Sequence, residues 1–251
     1  MRQFPQSLGA ALAAVLVLGT ADAAEIKVLS IPGVKPAVSE LLPQFERQSG
    51  HTVNFTWEIY AGQKKEIESG NFDVAIFAKS QIAELAQQGR IAPNTAVDLA
   101  ATNIGVVVRK GAPKPDVSNE EAFKHTLLAA KSIAYTKESS TGVYVTRLLA
   151  RLGLADVLKD RLRLQSGGGM TTPAVAKGDV EIGIVLLSDI LATPGAELAG
   201  LLPPGLQNAV MQTGAISTTA KQAVAGAALL QALTAAAASP VYRSKGLEPP
   251  R

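Results

Sequence analysis

Apolar residues along the chain switch between two rhythms. The segment from Ile26 reads as a strand and Phe72–Ala78 as a buried strand, and positions such as Val38, Leu41, Leu42 and Phe45 recur at helical spacing. From Ile26 the order is a strand, a Pro32-Gly33 turn, an amphipathic helix stopped by Gly50, and a strand from His51 to Thr56. Pro36 suits the first turn of that helix, and Pro43 inside it predicts a kink. The pattern goes on with a helix over 64–69, the strand 72–78, a helix capped by Ser80 and closed by Gly89, and a strand over 104–109. After the break Gly111-Ala-Pro-Lys-Pro, Ser118 and Glu121 predict a capping box and a helix to about Ala130. A strand over 132–135 follows, then a polar loop Thr136–Thr141 that Ser140 or Thr141 would cap into a helix ending at Gly153. Strand 161–165 leads into Ser166-Gly-Gly-Gly169 and a helix from Thr171. Strands over 180–187 and 206–214 flank a Pro/Gly-rich stretch, and an Ala-rich helix runs from Lys221 to Ala238.

Alternation of strands and helices predicts an α/β chain with parallel strands. Its two halves repeat one grammar of strand, polar or glycine loop, and helix, which suggests two lobes. Residues 24–103 and 212–251 form the first and 104–211 the second, with the chain crossing near 103–111 and returning near 204–214. The first 23 residues read as an export signal. Arg2 precedes an apolar run from Leu8 to Leu18, and Ala21-Asp22-Ala23 supplies a small-residue cleavage site. The run is shorter than the roughly 20 residues of a spanning helix. The expected location is therefore the periplasm.

Composition narrows the chemistry. Of 251 residues 47% are hydrophobic but only 4% aromatic, so the core is built from Ala, Val, Leu and Ile. With no cysteine there is no disulfide or thiolate metal site, and no metal or cofactor is expected. A net charge of +3, spread along the chain without a basic block, argues against a nucleic-acid partner and is compatible with an anionic ligand. Two histidines and the lack of a Gly-x-Ser-x-Gly elbow leave little for a hydrolytic triad.

Glycine and hydroxyl loops at strand ends are the candidate chemistry. Pro32-Gly33 is a ligand cradle or only a strand-to-helix turn. The Ser166–Gly169 loop is an anion site or a connector, and Thr136–Thr141 faces a cleft or only caps its helix. Tyr60 would seal the pocket or be an ordinary loop aromatic. Lys79, just past a buried strand, faces the cleft or solvent.

Phe72-Asp-Val-Ala-Ile-Phe-Ala78, Thr141-Gly-Val-Tyr144 leading to Leu152-Gly153, Gly183-Ile-Val185 leading to Ser188-Asp189, and Ser239-Pro240 with Lys245-Gly-Leu247 carry a resemblance. The chain resembles the periplasmic molybdate/tungstate-binding proteins of ABC importers. The resemblance implies a two-lobed type II periplasmic binding protein fold, each lobe a mixed, mostly parallel sheet flanked by helices. It implies a monomer that holds a small anion between its lobes and docks transiently onto a membrane permease. The ligand positions it implies are Pro32 and Gly33, Tyr60 and Ala61, Thr141, Gly168 with Gly169, and Leu186. Amides of Gly33, Gly62, Gly142 and Gly168 would be donors, joined by the hydroxyls of Ser30, Ser139, Ser140 and Tyr144 and by Lys35, Lys64, Lys79 and Lys137. The serine pairs and the tyrosine usual in that family are replaced here by Pro32-Gly33, Tyr60-Ala61 and Leu186, which points toward a small organic carboxylate beside the oxyanions. A sensory or accessory binding protein and an exported hydrolase or isomerase are the alternatives.

Overall fold

The computed structural model describes residues 23–250. The export signal expected over 1–23 therefore lies outside the described residues except for Ala23. The elements in chain order are β1 (Glu25–Ser30), α1 (Lys35–Ser49), β2 (Thr52–Trp57), α2 (Lys64–Ser69), β3 (Val74–Ala78), α3 (Lys79–Gln87), β4 (Val97–Thr102) and β5 (Ile104–Arg109). They continue with α4 (Glu120–Ala129), β6 (Ile133–Ala134), α5 (Ser140–Arg151), α6 (Thr171–Lys177), β7 (Ile182–Leu186), α7 (Leu187–Ala192) and β8 (Ala196–Leu201). The chain closes with β9 (Val210–Ile216), α8 (Ala223–Thr234) and α9 (Ser239–Ser244).

Two sheets organise these elements into two lobes. The first sheet has the order β2-β1-β3-β9-β4 and the second β6-β7-β5-β8. The chain passes from the first to the second between β4 and β5, at Asn103, and returns between β8 and β9. The expected mostly parallel character does not hold. β1 pairs in parallel with β2 and β3, and β6 with β7, whereas β9 runs against β3 and β4, and β5 against β7 and β8. The reason is the connectivity: β5 and β9 are the strands by which the chain enters a new lobe, and each enters its sheet from the end opposite to its neighbours.

Each sheet buries both faces. Val28, Val74, Ile76 and Leu99 pack with Leu229, Leu230 and Tyr242 on one side of the first sheet. Leu29, Ala75 and Phe77 pack with Ile82 and Leu85 on the other. The second sheet packs Val106, Val108, Ile182 and Ile184 against Phe123, Leu127, Leu148 and Leu149. Burial of each such aliphatic side chain contributes on the order of 1.5–3 kcal/mol, so lobes short of aromatics still have cores. Asp73 is the polar exception. It accepts from the amides of Lys27 (2.9 Å), Lys221 (2.7 Å) and Gln222 (2.8 Å), tying the approach to α8 to the edge of β1.

Several local expectations change. Residues 161–165 form no strand of their own and only bridge at Leu162 and Gln165 to the β6 region. Conversely, β4 and β8 appear where no strand was expected, with sequences VDLAAT and AELAGL whose apolar content is too diluted to stand out. Helix caps shift by one or two residues. Asn119, not Ser118, caps α4, accepting from the Ala122 amide at 2.9 Å, and α3 starts at Lys79, with Gln81 Oε1 accepting from the Ala78 amide at 3.2 Å. Ser139, not Ser140 or Thr141, caps α5.

Candidate functional site: the cleft between the lobes

The carboxyl ends of β1 and β2 in one lobe face the loop before α5, the 166–169 loop and the end of β7 in the other. A cleft opens to solvent there, with a cavity volume of about 60 Å³ between the lobes. Ile31, Pro32, Gly33, Ile59, Tyr60 and Gln81 line it from the first lobe. From the second come Thr136, Ser139, Ser140, Thr141, Gly168, Gly169, Ile184, Val185, Leu186 and Asp189. Ligand sites of small molecules combine an apolar lining with a few aimed polar groups, and this lining has that character.

The first lip is a 3-10 turn, Pro32–Val34, feeding α1. Its N-cap, Ile31, has no side-chain group to cap it, so the Gly33 amide is available to a ligand. A Cβ on Gly33 would sit 2.8 Å from Leu186 Cδ1, so the glycine lets the opposing lobe close onto the turn. Leu186, standing where a hydroxyl was expected from the resemblance, gives the cleft an apolar floor. Tyr60 packs edge-on against Phe77, with ring centroids 5.3 Å apart. Burial, and secondarily the Glu84 carboxylate, pushes its phenol up from the ordinary value, so it stays a neutral hydrogen-bond donor.

The facing lip is the start of α5. Ser139 Oγ accepts from the Gly142 amide at 2.9 Å and donates to the Thr136 carbonyl at 2.8 Å. The amides of Ser140 and Thr141 are first-turn donors without an intrahelical partner, and both residues line the cleft. The positive end of the helix dipole adds to them. Main-chain and hydroxyl donors gathered at a helix start have the character of an anion-binding pole.

Some expected positions are spent elsewhere. The Gly142 amide serves its cap, and a Cβ there would lie 1.8 Å from the Thr136 carbonyl oxygen, so the glycine is required by the turn and not by a ligand. Ser30 is fully buried beneath the cleft and donates to the Ile31 carbonyl at 3.2 Å. Ala61 and Gly62 lie outside the lining. Tyr144 donates to the Leu206 carbonyl at 2.8 Å, pinning α5 to the 204–206 turn. Lys79 points away and pairs with Asp98 at 2.7 Å. Burial raises the Asp98 carboxyl, but hydrogen bonds from Lys79 and Thr213 outweigh it and hold the group below its ordinary value. Lys35 lies 5.8 Å above the Trp57 ring and lines the adjoining hollow that Asp189 also borders, whereas Lys64, which opens α2, and Lys137 do not line the cleft.

Two carboxylates that the sequence did not single out are at the site. Asp189, in the first turn of α7, lines the cleft beside Pro32 and Gly169. Its carboxyl makes no ion pair among the described residues, and burial pushes it up to about 7. Glu58 follows β2 and folds back so that Oε1 accepts from the amides of Ile59 (2.7 Å) and Gly168 (2.5 Å). It thus joins the first lobe to the second. The buried Gln63 fixes this corner, donating to the carbonyls of Ser30 (3.0 Å) and Glu58 (2.7 Å). Among the described residues no cluster of His, Asp and Glu is able to hold a metal ion.

Comparison with known proteins agrees with this architecture. The family described as bacterial extracellular solute-binding protein matches residues 26–248. An aconitate isomerase from a Pseudomonas species is 31% identical over 97% of this chain and 95% of its own length. The molybdate-binding protein ModA of Azotobacter vinelandii is 28% identical over 94% of each chain. The solved structure of the A. vinelandii periplasmic molybdate-binding protein superposes with a TM-score of 0.76 at 20% identity, covering 90% of this chain and all of that one.

Proposed function

Because the chain belongs to the bacterial extracellular solute-binding proteins, in their molybdate-binding-protein-like branch, we propose that it captures a small organic polycarboxylate between its lobes. One observation carries this reading. The cleft lining pairs the start of α5, at Ser140 and Thr141, with an apolar floor of Ile31, Ile59, Ile184, Val185 and Leu186. A compact tetrahedral oxyanion needs donors on every side, because a buried charge left unpaired is costly. A carbon skeleton bearing carboxylates satisfies both surfaces at once. Gly33, Tyr60 and Gln81 supply donors to a second carboxylate from the first lobe. As in the family, the chain would act in the periplasm, handing its ligand to the permease of an ABC importer. Lobe closure is the hinge motion such a role uses. Thermal melting with aconitate, citrate and succinate against molybdate, tungstate and sulfate tests the ligand class. A rise in melting temperature that grows with polycarboxylate concentration is expected. A rise with the oxyanions alone would overturn it.

A second reading, isomerisation of an unsaturated polycarboxylate, is favoured by Asp189 and by the likeness to the aconitate isomerase. A cleft carboxyl balanced between its two forms near neutrality suits general acid–base work. As the carboxylate it would take a proton from the carbon next to the double bond. The electron pair left behind shifts the double bond by one position, and the same proton returns to the far carbon, so nothing is consumed. Turnover of cis-aconitate followed by absorbance, in the parent chain and in Asp189→Asn, tests this. Activity lost by a factor of at least about 100 with binding retained supports it, and equal activity in the two refutes it.

A further inference from the structure

The Glu58 carboxylate occupies a place with the features of an anion site. Two main-chain amides converge on Oε1, one from each lobe, and no cation among the described residues pairs with it. Glycines surround the side chain. A Cβ on Gly62 would sit 2.4 Å from Glu58 Cγ, one on Gly168 3.1 Å from Oε1, and one on Gly167 3.6 Å from Oε2. Gly62 and Gly168, the glycines expected to cradle a ligand, thus cradle a side chain of the protein itself. Gly168 also lets the lobes meet, since its Cβ would lie 2.7 Å from Pro32 Cγ.

We propose that Glu58 is a tethered anion that fills the Ile59–Gly168 amide pole and thereby selects against compact dianions, leaving the α5 pole for a ligand carboxylate. The inference deepens the polycarboxylate reading and rests on it for the identity of the preferred ligand. A compact dianion can neutralise its charge only by drawing donors from all around it, and here the donors on one side are taken. It would also sit close to a like charge, which disfavours it further in a site of low dielectric. An extended polycarboxylate keeps its charged ends apart and places only one of them at the α5 pole.

Titration calorimetry with molybdate, sulfate and aconitate on the parent chain, Glu58→Ala and Glu58→Gln decides the matter, with unliganded melting curves to confirm folding. Glu58→Ala frees both amides and removes the charge. The ratio of molybdate to aconitate dissociation constants is expected to fall at least tenfold. Glu58→Gln keeps an acceptor on the amides but loses the charge, and is expected to lower the ratio at least threefold, so the question is answered even if the alanine variant does not fold. An unchanged ratio in the folded variants overturns the proposal, as does tight molybdate binding by the parent chain. If no chain binds aconitate, the ligand reading fails, and a tenfold gain in molybdate or sulfate affinity by a Glu58 variant still upholds the role of Glu58. If aconitate binds but the ratio stays fixed, only the role of Glu58 fails.

Discussion

Replacing Asp189 by Asn tests the electrostatics of the cleft through stability alone, whatever the ligand. Burial moves this carboxyl from 3.8 to about 7. The folded chain therefore holds the proton more tightly than the unfolded chain, and ionisation costs stability. The cost is absent below about pH 4, grows between the two values, and is complete above about pH 7. Each pH decade across that window contributes about 1.4 kcal/mol, which sets an upper limit of about 4 kcal/mol. Because the side chain opens onto the cleft and is only half-buried, solvent screening should reduce the realised cost to roughly 2–3 kcal/mol. Asparagine has the same shape and never ionises. Asp189→Asn should thus melt close to the parent at pH 4.5 and above it at pH 8. For a chain of this size about 2–4 °C accompanies each kcal/mol, so the expected gap at pH 8 is roughly 4–12 °C. Melting curves of both proteins at constant ionic strength from pH 4.5 to 8 provide the measurement. A gap that is the same at both ends of the range, or that favours the parent at pH 8, would show that Asp189 is not held protonated by its surroundings and would remove the physical basis of the isomerase reading.

The remaining expectations concern close approaches and a buried carboxylate. Gly142→Ala should destabilise the chain by at least about 3 kcal/mol in urea unfolding, because its Cβ meets the backbone oxygen of Thr136, which cannot turn aside as a side chain would. Gly168→Ala should leave the stability of each lobe nearly unchanged but weaken polycarboxylate binding at least tenfold in calorimetry, since the new methyl meets Pro32 of the opposite lobe and holds the cleft ajar. Asp73→Asn should cost about 2–4 kcal/mol in chemical denaturation, because charge-assisted bonds to three main-chain amides are weakened at once. If Asp189 moves a proton, turnover should rise with pH through about 7 as the carboxyl ionises.

How much of this molecule is legible in its sequence follows from the range of the interactions involved. The strands β3, β5 and β7 announce themselves because all or nearly all of their residues are buried, giving unbroken apolar runs. β4 and β8 do not, since their partly exposed residues admit Asp98 and Glu197, and their strand character comes from pairing with β9 and β5. The site divides along the same line. A turn such as Pro32-Gly33 or a helix start such as Ser139–Thr141 is a local object that sequence reveals. Glu58 and Asp189 become functional only by juxtaposition. Glu58 meets an amide 110 residues away, and no pattern near position 58 records that.

The glycines show most clearly where such reading stops. A glycine at a strand end marks a place where something comes closer to the backbone than a Cβ would allow. At Gly33 that neighbour is Leu186 of the other lobe, at Gly142 the Thr136 carbonyl, at Gly62 the Glu58 side chain, and at Gly168 Pro32 of the other lobe with Glu58 behind it. The sequence identifies the approach but not the approaching group. A fold that binds anions through main-chain amides can therefore change its ligand without changing its glycines. On the proposed reading, supplying one anion from its own chain would alter which amides remain open, and the start of α5 would then decide what the cleft accepts.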